Sequence, residues 1–383
     1  MAPRGTVETA VPLLFDRWSP PQLAGQGARI LEQSGVVDHL YVWDQLISWW
    51  PKALWRPDHA PLAETMADCD SFADAFVIAA MAAAVTDNLG VGVSTDAVRR
   101  GPAELMQTML TLAAATEGRA TLMLGAGEAK QTQPFGYRRA EGLARLEDTL
   151  RLCRLLVECE EPFDFEGRYW TFRRAWLGGA RPYRPKIWAV GGGPQLIDLA
   201  ARYADGFVTA VPLAVTSPER YAEQVADIKR RLEGYGRDPE VFDFAVMAQT
   251  LLHDDQELIR RSLDNPLLRW IAAVFGRLNQ AAWEDEGIEP VFPRDWHYAV
   301  KLIPTEWTAD EVYAVTEKVP ETMLRKSFYH GPVKEVAATL DEYVQAGATW
   351  VATVDLLPLV LPADEAVAAL DRWVDVCRAL KGS

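Results

Sequence analysis

Short apolar runs alternate along the chain with longer stretches whose apolar residues recur every three to four positions, the pattern of strands feeding amphipathic helices. The clearest case lies between Asn88 and Phe135. Leu89 to Val93 is too short for a helix, carries Gly90 and Gly92, and reads as a buried strand. Pro102 suits the first turn of a helix, and Leu105, Met106, Met109, Leu110 and Leu112 then keep helical spacing up to Glu117-Gly118. A second strand, Ala120 to Leu124, ends at Gly125-Ala126-Gly127-Glu128. Strand, helix and strand within about forty residues form a βαβ unit, whose crossover is right-handed and whose strands lie parallel. Both strands therefore end on one side of the sheet, where Ser94-Thr95-Asp96 follows the first and Glu128, Lys130 and Gln131 follow the second.

The same rhythm extends in both directions. Upstream it predicts a strand over Glu8 to Phe15, a helix over Pro20 to Gln33, a strand over His39 to Trp43, and a helix over Ala73 to Val85 capped by Ser71. Leu46 to Asp70, with Trp49, Trp50, Trp55 and several prolines, reads as a long functional loop. Downstream come a helix from Arg139 to Val157, an irregular stretch from Glu160 to Pro185, a strand Ile187 to Val190, and a helix Gln195 to Tyr203. A strand Gly206 to Thr209, a helix Pro218 to Tyr235 and an apolar run Phe242 to Leu252 follow. Residues 254–320 break the rhythm and read as an insertion or lid, before Val333 to Gln345 (helix), Trp350 to Asp355 (strand) and Ala363 to Leu380 (helix) restore it. Roughly eight strand and helix alternations predict an α/β fold, a (β/α)8 TIM barrel with insertions, as one domain over residues 1–383. The rival open doubly wound sheet is disfavoured, because Gly125-Ala126-Gly127 has Lys130 where a third fingerprint glycine belongs and lies at the fourth strand.

Composition narrows the function. A chain of 383 residues, 49% hydrophobic, can bury a large core, and a net charge of -15 argues against nucleic-acid binding. The Arg99-Arg100, Arg138-Arg139 and Arg173-Arg174 pairs read as separate solvated or capping residues. Four cysteines without CxxC spacing suggest neither zinc nor a disulfide framework, and with no signal-like or membrane-length apolar segment they point to a soluble, cytoplasmic protein. The five histidines show no HxH or HxxxH spacing, so no metal is expected, and no Gly-x-Ser-x-Gly elbow suggests a serine hydrolase.

On a barrel, Asp44, Gln45, Ser94, Thr95, Asp96, Glu128, Gln131 and the Gly191 to Pro194 turn converge on one mouth. Asp44 and Glu128 read either as an anchor and a proton-transfer residue or as caps of the following helices. The triple glycine is either a phosphate cradle at a helix N-terminus or a tight strand-to-helix turn. The tryptophans at 43, 49, 50 and 55 are either core or a wall for a flat ring and an apolar substrate.

These segments carry a resemblance. LGVGVSTDAVRRGPAELMQTMLTL, ATLMLGAGEAKQTQPFG, IWAVGGGP followed by RYADGF, and KLIPTEWTADEVYAVTEKVP with its HGPVKEV sequel resemble the bacterial-luciferase-like superfamily. The nearest branch uses the deazaflavin coenzyme F420, and within it the phthiodiolone ketoreductase group is most similar. The resemblance implies a barrel with the deazaflavin lying across the strand C-termini and its phosphate at Gly192-Gly193. It places cofactor contacts at Asp44, Thr95, Ala126, Gly127, Gln131, Gly192, Gly193, Gln195 and Leu196. A non-proline cis peptide behind the ring is expected near Gly92-Val93, which adds those two residues to the cofactor set. Glu128 falls on the family's proton-transfer glutamate and Trp49 on an aromatic residue beside the reacting carbon. A homodimer is expected on the same ground.

Two departures bear on substrate. The sugar-phosphate dehydrogenases of the family have Asp-His where this chain has Asp44-Gln45, and glutamine cannot serve as their acid-base imidazole. They also hold the substrate phosphate with a lysine downstream of the DGF turn, where this chain reads Ala210-Val211-Pro212-Leu213. An apolar or polyketide-like ketone or secondary alcohol is therefore expected. The implied reaction is hydride transfer between the deazaflavin C5 and that carbonyl, with Glu128, Gln45 and Trp49 at the reacting centre. FMN-dependent monooxygenation on the same barrel and non-catalytic deazaflavin binding are the alternatives.

Overall fold

The computed structural model describes residues 7–382. Residues 1–6 and Ser383, on which part of the leader reading and the ends of the 1–383 domain reading fall, lie outside the described residues. Eight parallel strands close into a barrel: β1 (Glu8–Pro12), β2 (His39–Trp43), β3 (Gly90–Asp96), β4 (Ala120–Gly125), β5 (Lys186–Val190), β6 (Gly206–Val211), β7 (Asp243–Leu252) and β8 (Trp350–Asp355). The ring closes where Glu8 of β1 pairs with Trp350 of β8. One long helix follows each strand on the outside: α1 (Gln22–Gln33), α2 (Ala75–Ala83), α3 (Pro102–Ala115), α4 (Gly142–Glu158), α5 (Pro194–Tyr203), α6 (Pro218–Gly234), α7 (Val333–Gln345) and α8 (Ala363–Leu380).

Strand periodicity divides the core. On β8, Trp350, Ala352 and Val354 point into the barrel while Val351 joins the layer under the helices. Tyr41, Met123, Trp188 and Met247 fill the same interior, with Trp188 and Trp350 edge-to-face at 5.6 Å. Gly92 makes room there, since a Cβ would come 3.1 Å from the Tyr41 Cβ and 3.2 Å from the Met123 Cε.

The cis peptide implied near Gly92-Val93 is not found. Among the described residues the cis peptide is Val211-Pro212. Strand β3 instead keeps continuous parallel register with β2 and β4 through Gly92, Val93 and Ser94, which requires extended trans backbone. Gly92 faces the barrel interior and Val93 the helix layer.

Three local expectations also change. Asp74, not Ser71, caps α2, because its carboxylate accepts from the N–H groups of Phe76 and Val77. The stretch 160–185 contains an antiparallel hairpin, Phe163–Glu166 with Thr171–Ala175, whose mostly solvent-facing positions blur the alternation that marks a half-buried pair. Strand β7 also pairs at its end with a three-residue strand, Tyr329–Gly331, too short to leave a pattern.

The 254–320 region folds into short helices that share a second apolar core with the loop after β2. Trp50 and Trp55 stack there at 6.1 Å, and Trp270 Nε1 donates to the Trp49 carbonyl at 2.9 Å. Arg277, 3% exposed, lies 4.2 Å over the Trp283 ring and donates to Glu286 and to the Lys326 carbonyl, holding the insertion's return to the barrel. No helix among the described residues is long and apolar enough to cross a membrane.

Candidate functional site

A cavity of about 470 Å³ opens where the C-terminal ends of β2 to β5 meet the insertion. Asp44, Gln45, Trp49, Thr95, Ala126, Gly127, Glu128, Gln131, Gly192, Gly193, Gln195 and Leu196 all line it, together with Ser94 and Asp96. Gly92 and Val93 do not, since they sit lower in the barrel wall.

The end of β2 is an ion network. The Asp44 carboxylate accepts from Thr95 Oγ1 at 2.6 Å, Arg100 Nε at 2.8 Å and Arg99 Nη2 at 3.2 Å, and neighbouring Asp96 accepts from Arg99 Nε at 2.5 Å. Burial alone would raise the Asp44 pKa, but the two guanidinium groups and the Thr95 hydroxyl hold it below the usual carboxylate range. Arg99, 6% exposed at its side chain, is thus neither solvated nor a cap, because a buried carboxylate between strands needs its charge balanced nearby. Asp44 itself caps no helix.

The end of β4 carries the titratable centre. Lys130, 1% exposed, lies with Nζ 3.2 Å from Glu128 Oε2, 2.5 Å from Gln45 Oε1 and 2.8 Å from the Ile47 carbonyl. The same ammonium sits 4.2 Å over the Trp49 ring. Desolvation dominates the nearby Glu128 charge and pushes the Lys130 pKa down to about 8. Glu128 Oε2 has no aligned hydrogen-bond donor although it is buried, and Glu128 stands at the N-cap of a four-residue helix without capping it. Its side chain is therefore free of the capping role and open to the cavity. Gln45 is an acceptor for Lys130 and Gln131, and Gln131 returns bonds to the Leu46 N–H and the Ile47 carbonyl, so both amides hold the loop after β2 against this centre.

At the opposite end, β5 turns through Gly191-Gly192-Gly193 into α5, whose first turn has no side-chain cap. Its N–H groups and the helix dipole suit an anion. A Cβ at Gly192 would meet Ala214 and Leu278 at 2.9 and 3.0 Å, so the turn is closely packed from behind. Gly127 holds the left-handed φ of +83° that brings the loop after β4 over the mouth. A Cβ at Gly142 would lie 1.9 Å from the Ala126 carbonyl, so only glycine lets α4 approach that loop.

The insertion completes the site with residues that sequence reasoning missed. His297, Tyr298 and Ala299 line the cavity, and Arg139 donates from Nε to the Ala299 carbonyl at 3.1 Å. Arg139 is thus no solvated residue of a charged pair. The Ala299 N–H donates to His297 Nδ1 at 3.1 Å, and burial together with Arg139 lowers the His297 pKa. Only one feature of the sequence pointed here, the aromatic density of Trp283 to Trp307, since no local motif marks a histidine placed by a distant insertion. The tryptophans divide by position: Trp43 and Trp49 face the cavity, while Trp50 and Trp55 are core.

Comparison with known proteins agrees with this architecture. The family described as luciferase-like monooxygenase matches residues 52–349. A phthiodiolone/phenolphthiodiolone dimycocerosates ketoreductase of Mycobacterium tuberculosis is 28% identical over 272 residues, covering 70% of this chain and 69% of that protein. An F420-dependent glucose-6-phosphate dehydrogenase of Kineococcus radiotolerans is 27% identical over 285 residues, covering 72% and 78%. Among solved structures, an F420-dependent secondary alcohol dehydrogenase in complex with an F420-acetone adduct superposes with a TM-score of 0.72 at 18% identity, covering 98% of this chain and 99% of that one.

Proposed function

The chain belongs to the luciferase-like monooxygenase family, and on that premise we propose that it is an F420-dependent oxidoreductase interconverting a ketone and a secondary alcohol of apolar or polyketide-like character. The observation that carries the reading is the placement of Glu128, backed by the buried Lys130, in one cavity with Trp49 and the uncapped Gly191-Gly193 turn. The residues fit a flat, phosphate-bearing cofactor. Trp43 and Trp49 meet edge-to-face at 5.6 Å, Trp49 Nε1 is buried without a hydrogen-bond partner, and the first turn of α5 is bare. Gly192, Gly193, Gln195 and Leu196 would hold the phosphate, and Ala126, Gly127 and Thr95 would border the ring. When bound, reduced F420 supplies a hydride at C5.

This chain's own residues handle the proton and the solvent. The proton for the nascent alkoxide leaves the Lys130 ammonium, and the Glu128 carboxylate 3.2 Å in front of it relays that proton. Trp49 and the insertion exclude water, and Asp44, held in place by Arg99 and Arg100, borders the cavity as a cofactor contact. The cavity wall at Met247, Leu278 and Tyr298 suits an apolar substrate. The four cysteines are free, in keeping with the cytoplasm. A homodimer belongs to the same proposal, supported by Leu23 and Ile30 on one face of α1 and Val77 of the adjacent α2, all exposed.

The test mixes the purified protein with reduced F420, reduced FMN and NADPH in turn, and then with a panel of ketones. Ketone-dependent oxidation of reduced F420 is the expected result. Oxygen-dependent turnover with FMN would instead support the monooxygenase reading, which the family's description favours, and binding of F420 without turnover on any ketone or alcohol would mark a binding protein. Glu128→Gln is expected to keep the Kd for F420 while slowing ketone reduction by about 100-fold, the scale of a lost acid-base group. Unchanged turnover would remove Glu128 from the proton path.

A further inference from the structure

Gln45 occupies the position where family members with an acid-base imidazole carry histidine, and its carboxamide oxygen is already an acceptor for Lys130 and Gln131. A ketone reduced in this cavity therefore meets no imidazole from the loop after β2. The insertion provides another imidazole. From the geometry we propose that His297, as a neutral ring, donates a hydrogen bond from Nε2 to the substrate carbonyl oxygen and stabilises the alkoxide that forms there. The proposal rests on the ketone-reductase reading above.

Position comes from a continuous chain of ring contacts. Trp49 meets Phe275 at 5.8 Å, Phe275 meets Tyr298 at 4.4 Å, and Tyr298 stacks on His297 at 5.3 Å, so the imidazole belongs to the same aromatic wall as Trp49. His297 lines the cavity that Glu128 also lines. Orientation comes from the backbone. The Ala299 N–H donates to Nδ1 at 3.1 Å, which assigns the ring proton to Nε2 and occupies the lone pair a second proton would need. Arg139, bonded to the carbonyl of that same Ala299, adds a positive charge that disfavours the imidazolium, while Glu128 acts in the opposite sense and Tyr298 is a neutral phenol. A neutral imidazole cannot yield its Nε2 proton, so it acts as a hydrogen-bond donor and the proton comes from elsewhere.

The step balances on that division. The ketone carbon gains a hydride, with its electron pair, from C5 of the reduced 5-deazaflavin. The carbonyl π pair moves to oxygen, which stays hydrogen-bonded to His297 Nε2 and takes the proton that leaves the Lys130 ammonium by way of the Glu128 carboxylate, so that Lys130 ends as a neutral amine. Fixed donors aimed at developing charge act more strongly in a water-poor site than in solution.

The test separates this role from a structural one. In His297→Asn the shorter side chain still caps Ala299 through its amide oxygen, so the segment stays in place while the donor withdraws. The probe is cyclohexanone labelled with ¹³C at the carbonyl, bound to the wild-type protein with oxidised F420, where no hydride can transfer. The expected infrared carbonyl stretch lies below that of the ketone in an apolar solvent and returns toward that value in His297→Asn. With reduced F420, kcat for the same ketone falls by about 100-fold while the Kd for F420 is unchanged. An unshifted carbonyl band in the wild type overturns the proposal whatever the variant does. So does a band or a kcat that His297→Asn leaves as it was. If the wild type reduces no ketone with reduced F420, the reading beneath the proposal falls, and the proposal with it.

Discussion

Lys130 concentrates more of the site's chemistry than any other single side chain. It is buried, ion-paired with Glu128, bonded to Gln45 and the Ile47 carbonyl, and stacked on Trp49. With its pKa pushed down to about 8, it is an ammonium at neutral pH and loses its proton as pH rises through that value. Ketone reduction should therefore decline above pH ~8 and alcohol oxidation should gain, and a pH profile of Lys130→Met should lack that limb. The same shift predicts a stability effect. The folded state gives up the lysine proton near pH 8 and the unfolded state near 10.4, so between those values the unfolded chain binds more protons. Stability from this group rises with pH across that window, by roughly 3 kcal/mol in all. Urea denaturation of wild type and Lys130→Met at pH 7.5 and 9.5 should show the wild type gaining on the variant at the higher pH. Glu128 was legible in the sequence because a glycine-rich strand end displays it beside a recognisable neighbourhood. Lys130 was visible as a polar residue at the same strand end and as a departure from a glycine fingerprint, and nothing local distinguished a buried lysine from an exposed one. His297 lay beyond sequence reasoning because its place depends on how a segment some 170 residues from Glu128 folds back over the barrel.

Elements were read best where a helix has one buried and one wet face or a strand is a short, wholly buried run. Val333–Gln345 and Ala363–Leu380 match the sequence expectation to the residue, since each keeps helical spacing, and Trp350–Asp355 matches as a short run buried on both faces. The exposed hairpin after α4 escaped because little of it is buried, and the Asp74 cap was misplaced by three residues because Ser71 and Asp74 are both acceptable caps. Element ends carry energetic consequences that periodicity does not display. Asp355 closes β8, and its Oδ1 accepts from the N–H groups of Leu252 at 3.0 Å and Leu357 at 3.2 Å, tying the end of β7 to the turn after β8. Its Oδ2 has no partner, and burial pushes its pKa up to about 7. A carboxyl whose folded pKa lies above its unfolded value binds its proton more tightly when folded, so this group favours the folded state at low pH. That advantage drains away as pH rises from about 4 to 7. Asp355→Asn keeps the acceptor and cannot ionise. It should match the wild type near pH 4 and be more stable above pH 7, by on the order of 2–4 kcal/mol. Chemical denaturation at pH 4.5 and 8.5 checks this, and an equal difference at both values would contradict it.

At the scale of the whole molecule, two apolar cores meet at one cavity. The barrel with its helices is one, and the insertion packed with the loop after β2 is the other. Arg139 joins them at the mouth: it stands at the start of α4, against the glycine whose close approach the loop after β4 requires, and reaches across to the Ala299 carbonyl. Because the insertion has its own core and its own clamp at Arg277, removing this link should not unfold the protein. It should instead shift the balance between a closed and an open mouth. One hydrogen bond to a charged donor is worth about 1.5 kcal/mol, so losing it favours opening by about tenfold. Substrate meets a competent site only in the closed form, and Arg139→Met should therefore raise KM for the ketone, by about twofold where roughly one molecule in ten is open in the wild type and by up to about tenfold where the open form dominates. The Kd for F420, whose proposed contacts lie on the barrel side at Ala126, Gly127 and Gly192 to Leu196, should change little. Limited proteolysis gives the independent measurement. Cleavage within residues 286–300 should quicken in Arg139→Met while the thermal midpoint stays within a few degrees of the wild type, and a fall in midpoint without faster local cleavage would mean that the two cores open as one.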